Sequence, residues 1–282
     1  MQITPLQDWI SRKIVAHGSP FDRSVLENWQ LTRIQSVVAY VKEHSPFYRQ
    51  RFAAIPQILS KQQFAELPLS TAAVLQADSG RFVCTPQDDI QRIVTLPTSG
   101  TTGLPKRVYF TASDQELTID FFRVGMSTLA MPGDRVLILL PGQRPGSVGD
   151  LLRIGLERLG CTPIPNGPFE EEKGVLEVIN NRNVNLLVGA PVQLHRLARY
   201  DQIHSILRGS QIDKVLSSTD ILPRIIRTNL QMIWDCEVFD HYGMTETGLG
   251  GGVECEAHQG YHLREADLYF EIIDPLTGNV LP

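Results

Sequence analysis

The chain has 282 residues, enough for one large domain or two modest ones with a sizeable core. Hydrophobic residues make up 42% and charged residues 20%, the balance of an ordinary globular protein. The net charge of -5 argues against nucleic acid as a partner, and no apolar run approaches the ~20 residues of a membrane span. The N-terminus, "MQITPLQDWISRK", has no signal-peptide core. Cys84, Cys161, Cys236 and Cys255 lie too far apart in sequence to read as a disulfide framework, so a reducing cytoplasm is the expected compartment.

Residues 22–44 place Val25, Leu26, Trp29, Ile34, Val37, Val38 and Val41 on one side of a predicted helix. Pro46 closes it, and "SPFYRQRF" makes a corner. Residues 60–78 predict two short helical pieces broken by "LPLST". Residues 1–80 are expected to form a helical lead-in, and residues 81–282 an α/β nucleotide-binding core that is incomplete at its C-terminus. From about residue 90 the pattern changes. "IQRIVTL" (90–96) and "KRVYFT" (106–111) predict two strands of a hairpin. A helix over 112–130 follows, with a Ser113–Glu116 capping box and Leu117, Phe121, Val124 and Leu129 facing inward. "RVLILLP" from 135 predicts a strand buried on both faces. Helices at 146–160, 170–181, 191–207 and 223–234 then alternate with strands at 161–164, 184–190, 214–218 and 237–243. The expected fold is α/β, with mainly parallel sheets and flanking helices. Ligands in such sheets bind past the carboxyl ends of strands, which here read "LLPGQRPGS", "VGAPVQ", "LSSTDILP" and "DHYGMTETG". Near the C-terminus, Tyr269–Ile273 predicts a strand and "DPLTG" a turn toward a returning strand. No such strand follows, so the chain is expected to be a fragment or a short version of a longer protein.

The stretch "TSGTTGLPK", residues 98–106, carries the densest chemistry. Gly100 and Gly103 let backbone N–H groups approach an anion. Ser99, Thr101 and Thr102 offer hydroxyls, and Lys106 a positive charge. A polar hairpin turn with a solvated lysine is the plainer alternative. The stretch is not a Walker loop, which ends Gly-Lys-Ser/Thr and runs from strand to helix. That disfavours a P-loop NTPase.

"TSGTTGLPK" resembles the phosphate-loop signature of the adenylate-forming, AMP-binding superfamily, and "DHYGMTETG", residues 240–248, resembles its Tyr-Gly-x-Thr-Glu element. "VVAYVKEHSPFYRQRF" and "VECEAHQGYHLREADLYFEIIDPLTGNVLP" are similar to segments of the phenylacetate–CoA ligase-like branch. The resemblance runs from about residue 25 to 282 and implies the N-terminal large domain of an adenylate-forming enzyme. It implies that a carboxylic acid attacks the α-phosphorus of ATP and that CoA thiol then displaces AMP. Thr98, Ser99, Gly100, Thr101, Thr102, Gly103 and Lys106 would cradle the β- and γ-phosphates. Lys106, Thr245 and Glu246 would be catalytic, with Thr245 on the α-phosphate and Glu246 on Mg²⁺. Ser218, Thr219 and Asp220 stand where the family has Gly-Ala-Glu and would form an adenine wall. Asp220 has a plainer reading as a helix N-terminal residue. Asp240 would meet the adenine amino group and Tyr242, beside Gly243, would flank the ring. His241 reads as a pocket wall rather than a base.

The acid pocket departs from the branch: "LLPGQRPGSVGDLL" replaces an aromatic, glycine-rich stretch, so phenylacetate is not carried over. Arg144, Ser147 and Asp150 are the polar alternatives there, with Arg144 read first as an exposed loop arginine. Cys255 and His262 match two positions of a zinc site that the branch completes downstream, giving a Zn²⁺ half-site with His258 as a substitute ligand. The expected cofactors are ATP/AMP, Mg²⁺, CoA and this zinc. The expected partners are a small carboxylic acid, ATP and CoA, with a homodimer admitted. The ribose-binding aspartate and the mobile C-terminal domain with its lysine would lie downstream, so the chain alone is expected to be inactive or weakly active. Transfer to a carrier-protein thiol and a non-catalytic nucleotide-binding module are the competing readings.

Overall fold

A computed structural model of the chain describes residues 4–55, 58–96, 105–207 and 211–281. They divide into two units, residues 10–113 with 265–282 and residues 1–9 with 114–264, and each is described by itself.

Helix α1 (Pro5–Ile14) opens the chain. Helix α2 (Arg23–His44) begins where the Asp22 carboxylate accepts from the Val25 N–H. It ends at Ser45, whose hydroxyl accepts from the Tyr48 N–H and so caps α3 (Pro46–Arg51). Ser60 and Thr71 cap α4 (Lys61–Ala65) and α5 (Ala72–Ala77) in the same way, each satisfying an amide that the first helical turn leaves open. Ile34, Val38, Phe52 and Ile58 form the core of this unit, with Tyr48, Phe64 and Tyr269 against them. Strands β1 (Ile90–Leu96) and β2 (Lys106–Thr111) pair antiparallel, Leu96 opposite Lys106. The glycine-rich segment therefore runs from strand to strand, as the sequence predicts.

The strand expected at 269–273 does not form. The Asp274 turn, with Gly278 at φ +72°, returns the chain far enough for a single bridge between Ile273 and Val280. Ile272 and Ile273 are largely exposed, so a longer ribbon here would bury no apolar face, and an isolated two-stranded ribbon is marginal.

The other unit is built on one sheet. Helix α6 (Ala112–Met126) follows β2 without a break. Ser113 therefore lies inside its first turn rather than at the N-cap, a correction to the capping-box reading. There follow β3 (Arg135–Ile138), α7 (Val148–Leu159), β4 (Thr162–Pro165), α8 (Glu172–Asn181), β5 (Leu186–Gly189), α9 (Pro191–His204), β6 (Lys214–Ser217), α10 (Arg224–Trp234), β7 (Glu237–Tyr242), β8 (Gly252–Glu254) and β9 (Tyr261–Leu263). The sheet order is β4-β3-β5-β6-β7-β8-β9, parallel from β4 to β7 and antiparallel from β7 to β9.

Leu137, Leu187, Val215 and Val238 stand in register across β3, β5, β6 and β7. They pack on Leu176, Leu194, Leu197, Leu230 and Trp234 from α8, α9 and α10. On the opposite face, Leu140, Val188 and Leu216 meet α6 and α7. Burial on both faces accounts for the unbroken apolar runs at 136–140 and 186–188. The chain leaves β3 toward α7 on one face and β5 toward α9 on the other. That reversal between neighbouring strands opens a crevice at their carboxyl ends.

Candidate active site

The carboxyl ends of β6 and β7 carry the polar residues singled out by the sequence. Ser217 is fully buried, and its hydroxyl has no partner among the described residues. Ser218 is buried, and its Oγ lies 3.0 Å from Nδ1 of His241, a bond that ties the two strand ends together. Thr219 sits at φ +75°, a left-handed conformation that a β-branched residue adopts only under strain. Asp220 is exposed, and its Oδ1 accepts from the Ile221 N–H. It does not cap α10, whose N-cap is Pro223, so the helix-terminal reading of Asp220 is corrected.

Asp240 is buried at the end of β7. Its carboxylate accepts from the Tyr261 hydroxyl at 2.6 Å and from the His241 N–H at 3.1 Å. Burial pushes this carboxyl above its usual range, while those two donors oppose the shift. The Asp240 N–H donates to Glu254, which holds Arg227 through both carboxylate oxygens at 2.9 and 3.0 Å. Strand β7, helix α10 and the β8–β9 hairpin are thereby joined through one buried ion pair.

After Tyr242 the chain turns sharply. A Cβ on Gly243 would lie 2.4 Å from the Leu249 carbonyl oxygen, so only glycine fits. Thr245–Thr247 form one 3₁₀ turn. Thr247 Oγ1 accepts from the Met244 N–H and donates to the Met244 carbonyl. The turn is held from outside by Thr118, which donates to the Gly248 carbonyl at 2.8 Å, and by Arg264, which donates to the Thr247 carbonyl. Thr245 is half-buried and Glu246 exposed on this ordered turn.

Beneath the strand ends runs a narrow slot. Phe121, Phe122, Gly125 and Met126 of α6 line it with Leu140, Val148 and Leu152, and Val188, Leu216, Ser218, His241 and Val253 complete its walls. The centre of a water molecule has about 20 Å³ to move in, room for one or two waters. Burial holds the His241 imidazole neutral, its pKa lowered to about 4. The sequence reading looked for polar alternatives at Arg144, Ser147 and Asp150. The structure spends these on the loop instead: Asp150 accepts from the Gly146 N–H and pairs with Arg153, Ser147 donates to the Arg144 carbonyl, and Arg144 is exposed. It is Val148 and Leu152 of that segment, four apart on α7, that reach the slot.

Cys255 is buried just past β8, and His262 stands opposite Val253 in β9. His258, named as a substitute zinc ligand, faces Glu254 through Nδ1 and Glu237 through Nε2, each at 3.2 Å. Among the described residues, no group of three or more His, Cys, Asp or Glu side chains gathers as a metal site would. Cys255 and His262 are two residues where a structural zinc takes four ligands, and no complete zinc site stands among the described residues. Thr98, Ser99, Gly100, Thr101, Thr102 and Gly103 lie outside the described residues. Lys106 is the first residue of β2. Tyr261, Glu254 and Arg227 were missed in sequence because their partnership with Asp240 spans three separate elements.

A family model described as AMP-binding enzyme matches residues 32–282. The chain belongs to the AMP-binding enzyme family. Among its relatives is the phenylacetate-coenzyme A ligase of Pseudomonas putida, 31% identical over 274 residues, which cover 91% of this chain and 60% of the relative. The phenylacetate-coenzyme A ligase of Aromatoleum evansii is 27% identical over 264 residues, covering 90% of this chain and 59% of the relative. The chain thus spans about 60% of the length of the curated relatives it matches. Two crystal structures of 2-hydroxyisobutyryl-CoA ligase in complex with 2-HIB-AMP and CoA share its fold. They have TM-scores of 0.81 and 0.82 at 20% and 21% identity, and both cover 93% of this chain and 64% and 58% of theirs. No helix among the described residues is long and apolar enough to cross a membrane.

Proposed function

We propose that the chain is the nucleotide- and acid-binding part of an AMP-forming acid–CoA ligase. One observation carries this reading: in a member of the AMP-binding enzyme family, an apolar slot and the Tyr242–Glu246 turn issue from the same strand ends. In the first step, a carboxylate oxygen of the acid forms a bond to the α-phosphorus of ATP and pyrophosphate leaves. In the second, the CoA thiol bonds to the acyl carbon, loses its proton and displaces AMP. The protein's task is to neutralise phosphate charge and place the carboxylate.

Thr98, Ser99, Gly100, Thr101, Thr102, Gly103 and Lys106 would hold the β- and γ-phosphates. Thr245 would donate to the α-phosphate. Ser218, Thr219, Asp220, Asp240, His241, Tyr242 and Gly243 would wall the adenine and the acid. Glu246 would hold Mg²⁺, for which a carboxylate beside hydroxyls on an ordered turn is a fitting donor set. When bound, that ion supplies charge neutralisation on the phosphates. No role is assigned to zinc. Cys84, Cys161, Cys236 and Cys255 are free thiols, which favours a cytoplasmic setting.

The test is ATP–pyrophosphate exchange by the full-length gene product with a panel of carboxylic acids, followed by detection of the CoA thioester. Exchange with at least one acid is expected, and Glu246→Gln should lower it by about 10²-fold, the usual cost of a transition-state electrostatic group. Intact ATP binding without exchange for any acid refutes the ligase reading.

A further inference from the structure

The slot holds one polar atom that the protein leaves unused. The His241 ring lies beside Phe121 and Phe122, with centroids 6.1 and 6.0 Å away. Its Nδ1 edge is taken by Ser218 at 3.0 Å. Its Nε2 is buried and has no hydrogen-bond partner among the described residues. A buried polar atom left unpaired is destabilising, and among the described residues Ser218 is the one other polar side chain on the slot's walls. Such an atom on the wall of a binding slot is satisfied when a ligand arrives.

The chemistry of that ligand follows from the tautomer. A neutral imidazole carries one N–H and one bare nitrogen. Either ring nitrogen can carry that hydrogen, with the Ser218 hydroxyl accepting or donating accordingly; with Ser218 donating to Nδ1, the hydrogen sits on Nε2. We infer that His241 is a specificity-determining residue whose Nε2–H donates to an acceptor atom on the acyl part of the acid. The preferred substrate is then a compact acid with an apolar body and one acceptor, such as an ether oxygen, carbonyl or hydroxyl, rather than a plain hydrocarbon acid. Sites built to hydrogen-bond a substrate reject the analogue that lacks the group far more sharply than apolar sites reject a missing methylene.

This assignment rests on the acid–CoA ligase reading, and the experiment separates the two failures. ATP–pyrophosphate exchange by the full-length gene product is measured with two isosteric pairs, methoxyacetate against butyrate and glycolate against propionate. Wild type should favour the acceptor-bearing acid of at least one pair in kcat/KM. The preference should fall by about tenfold or more in His241→Phe, taking one hydrogen bond to a buried donor as the unit lost. His241→Gln, which keeps an N–H at similar reach, should restore part of it, and Ser218→Ala, which releases the tautomer, should weaken it. Wild-type exchange with no preference in either pair overturns the inference while leaving the ligase reading intact. So does an equal loss for both members of a pair in His241→Phe, because His241 then acts on the shared carboxylate or on structure. If His241→Phe does not fold, the wild-type preference and the Ser218→Ala shift still decide. Exchange with no acid at all removes the ligase reading and this inference together.

Discussion

His241 carries a titration consequence as well as a binding one. Burial lowers its pKa to about 4, against ~6.5 for an unfolded histidine. Between those two values the unfolded chain binds a proton that the folded chain does not, so acid favours unfolding. Wild type should therefore lose stability relative to His241→Phe as pH falls from ~6.5 toward ~4, by up to roughly 3 kcal/mol at ~1.4 kcal/mol per unit. Denaturant titrations of both proteins at pH 7, 5.5 and 4.5 measure the difference, and parallel curves would contradict it. Two glycines make an opposite pair at the same scale. Gly243→Ala drives a Cβ to 2.4 Å from a carbonyl oxygen and should cost about 1–3 kcal/mol. Gly174→Ala meets nothing within 4 Å in α8 and should stabilise by up to about 1 kcal/mol. Urea midpoints check both.

At the scale of elements, the β8–β9 hairpin is anchored by Glu254, which is nearly buried and gripped by Arg227. Arg227→Met leaves a buried carboxylate without its cation and should cost about 3–5 kcal/mol. Adding Glu254→Gln to that variant should recover much of the loss, and a double-mutant cycle in thermal unfolding gives the coupling. This hairpin was not legible in sequence. β8 is three residues long and follows a run of glycines, too short for alternation to declare a strand. The opposite error at Tyr269–Ile273 has the same root, since alternation there lacked an apolar face to bury. The parallel strands were legible because β3, β5 and β6 are buried on both faces and spaced by amphipathic helices. The polar half of the site was legible because strand-end loops concentrate unusual residues: Ser218, Asp240, His241 and Thr245. The apolar half was not. Phe122, Met126, Val148 and Leu152 have the spacing of ordinary core residues, and only the fold shows that they enclose open space.

For the molecule as a whole, the sheet unit has its most protected layer at β5 and β6, where Leu187 and Val215 are fully buried between neighbouring parallel strands. Amide exchange should be slowest there and fastest at the single Ile273–Val280 bridge. Mass-resolved exchange of the folded chain tests that order, and equal rates at the two places would refute it. The Ser218–His241 bond, which joins the ends of β6 and β7, has a thermodynamic consequence. The proposed adenine wall draws on both strand ends and the proposed acid contact on His241 between them, so ordering one end orders its neighbour. Acid and nucleotide would then bind as linked ligands, each raising the affinity for the other by the same factor. Cutting that hydrogen bond should weaken the linkage, leaving the β6–β7 ladder to carry what remains.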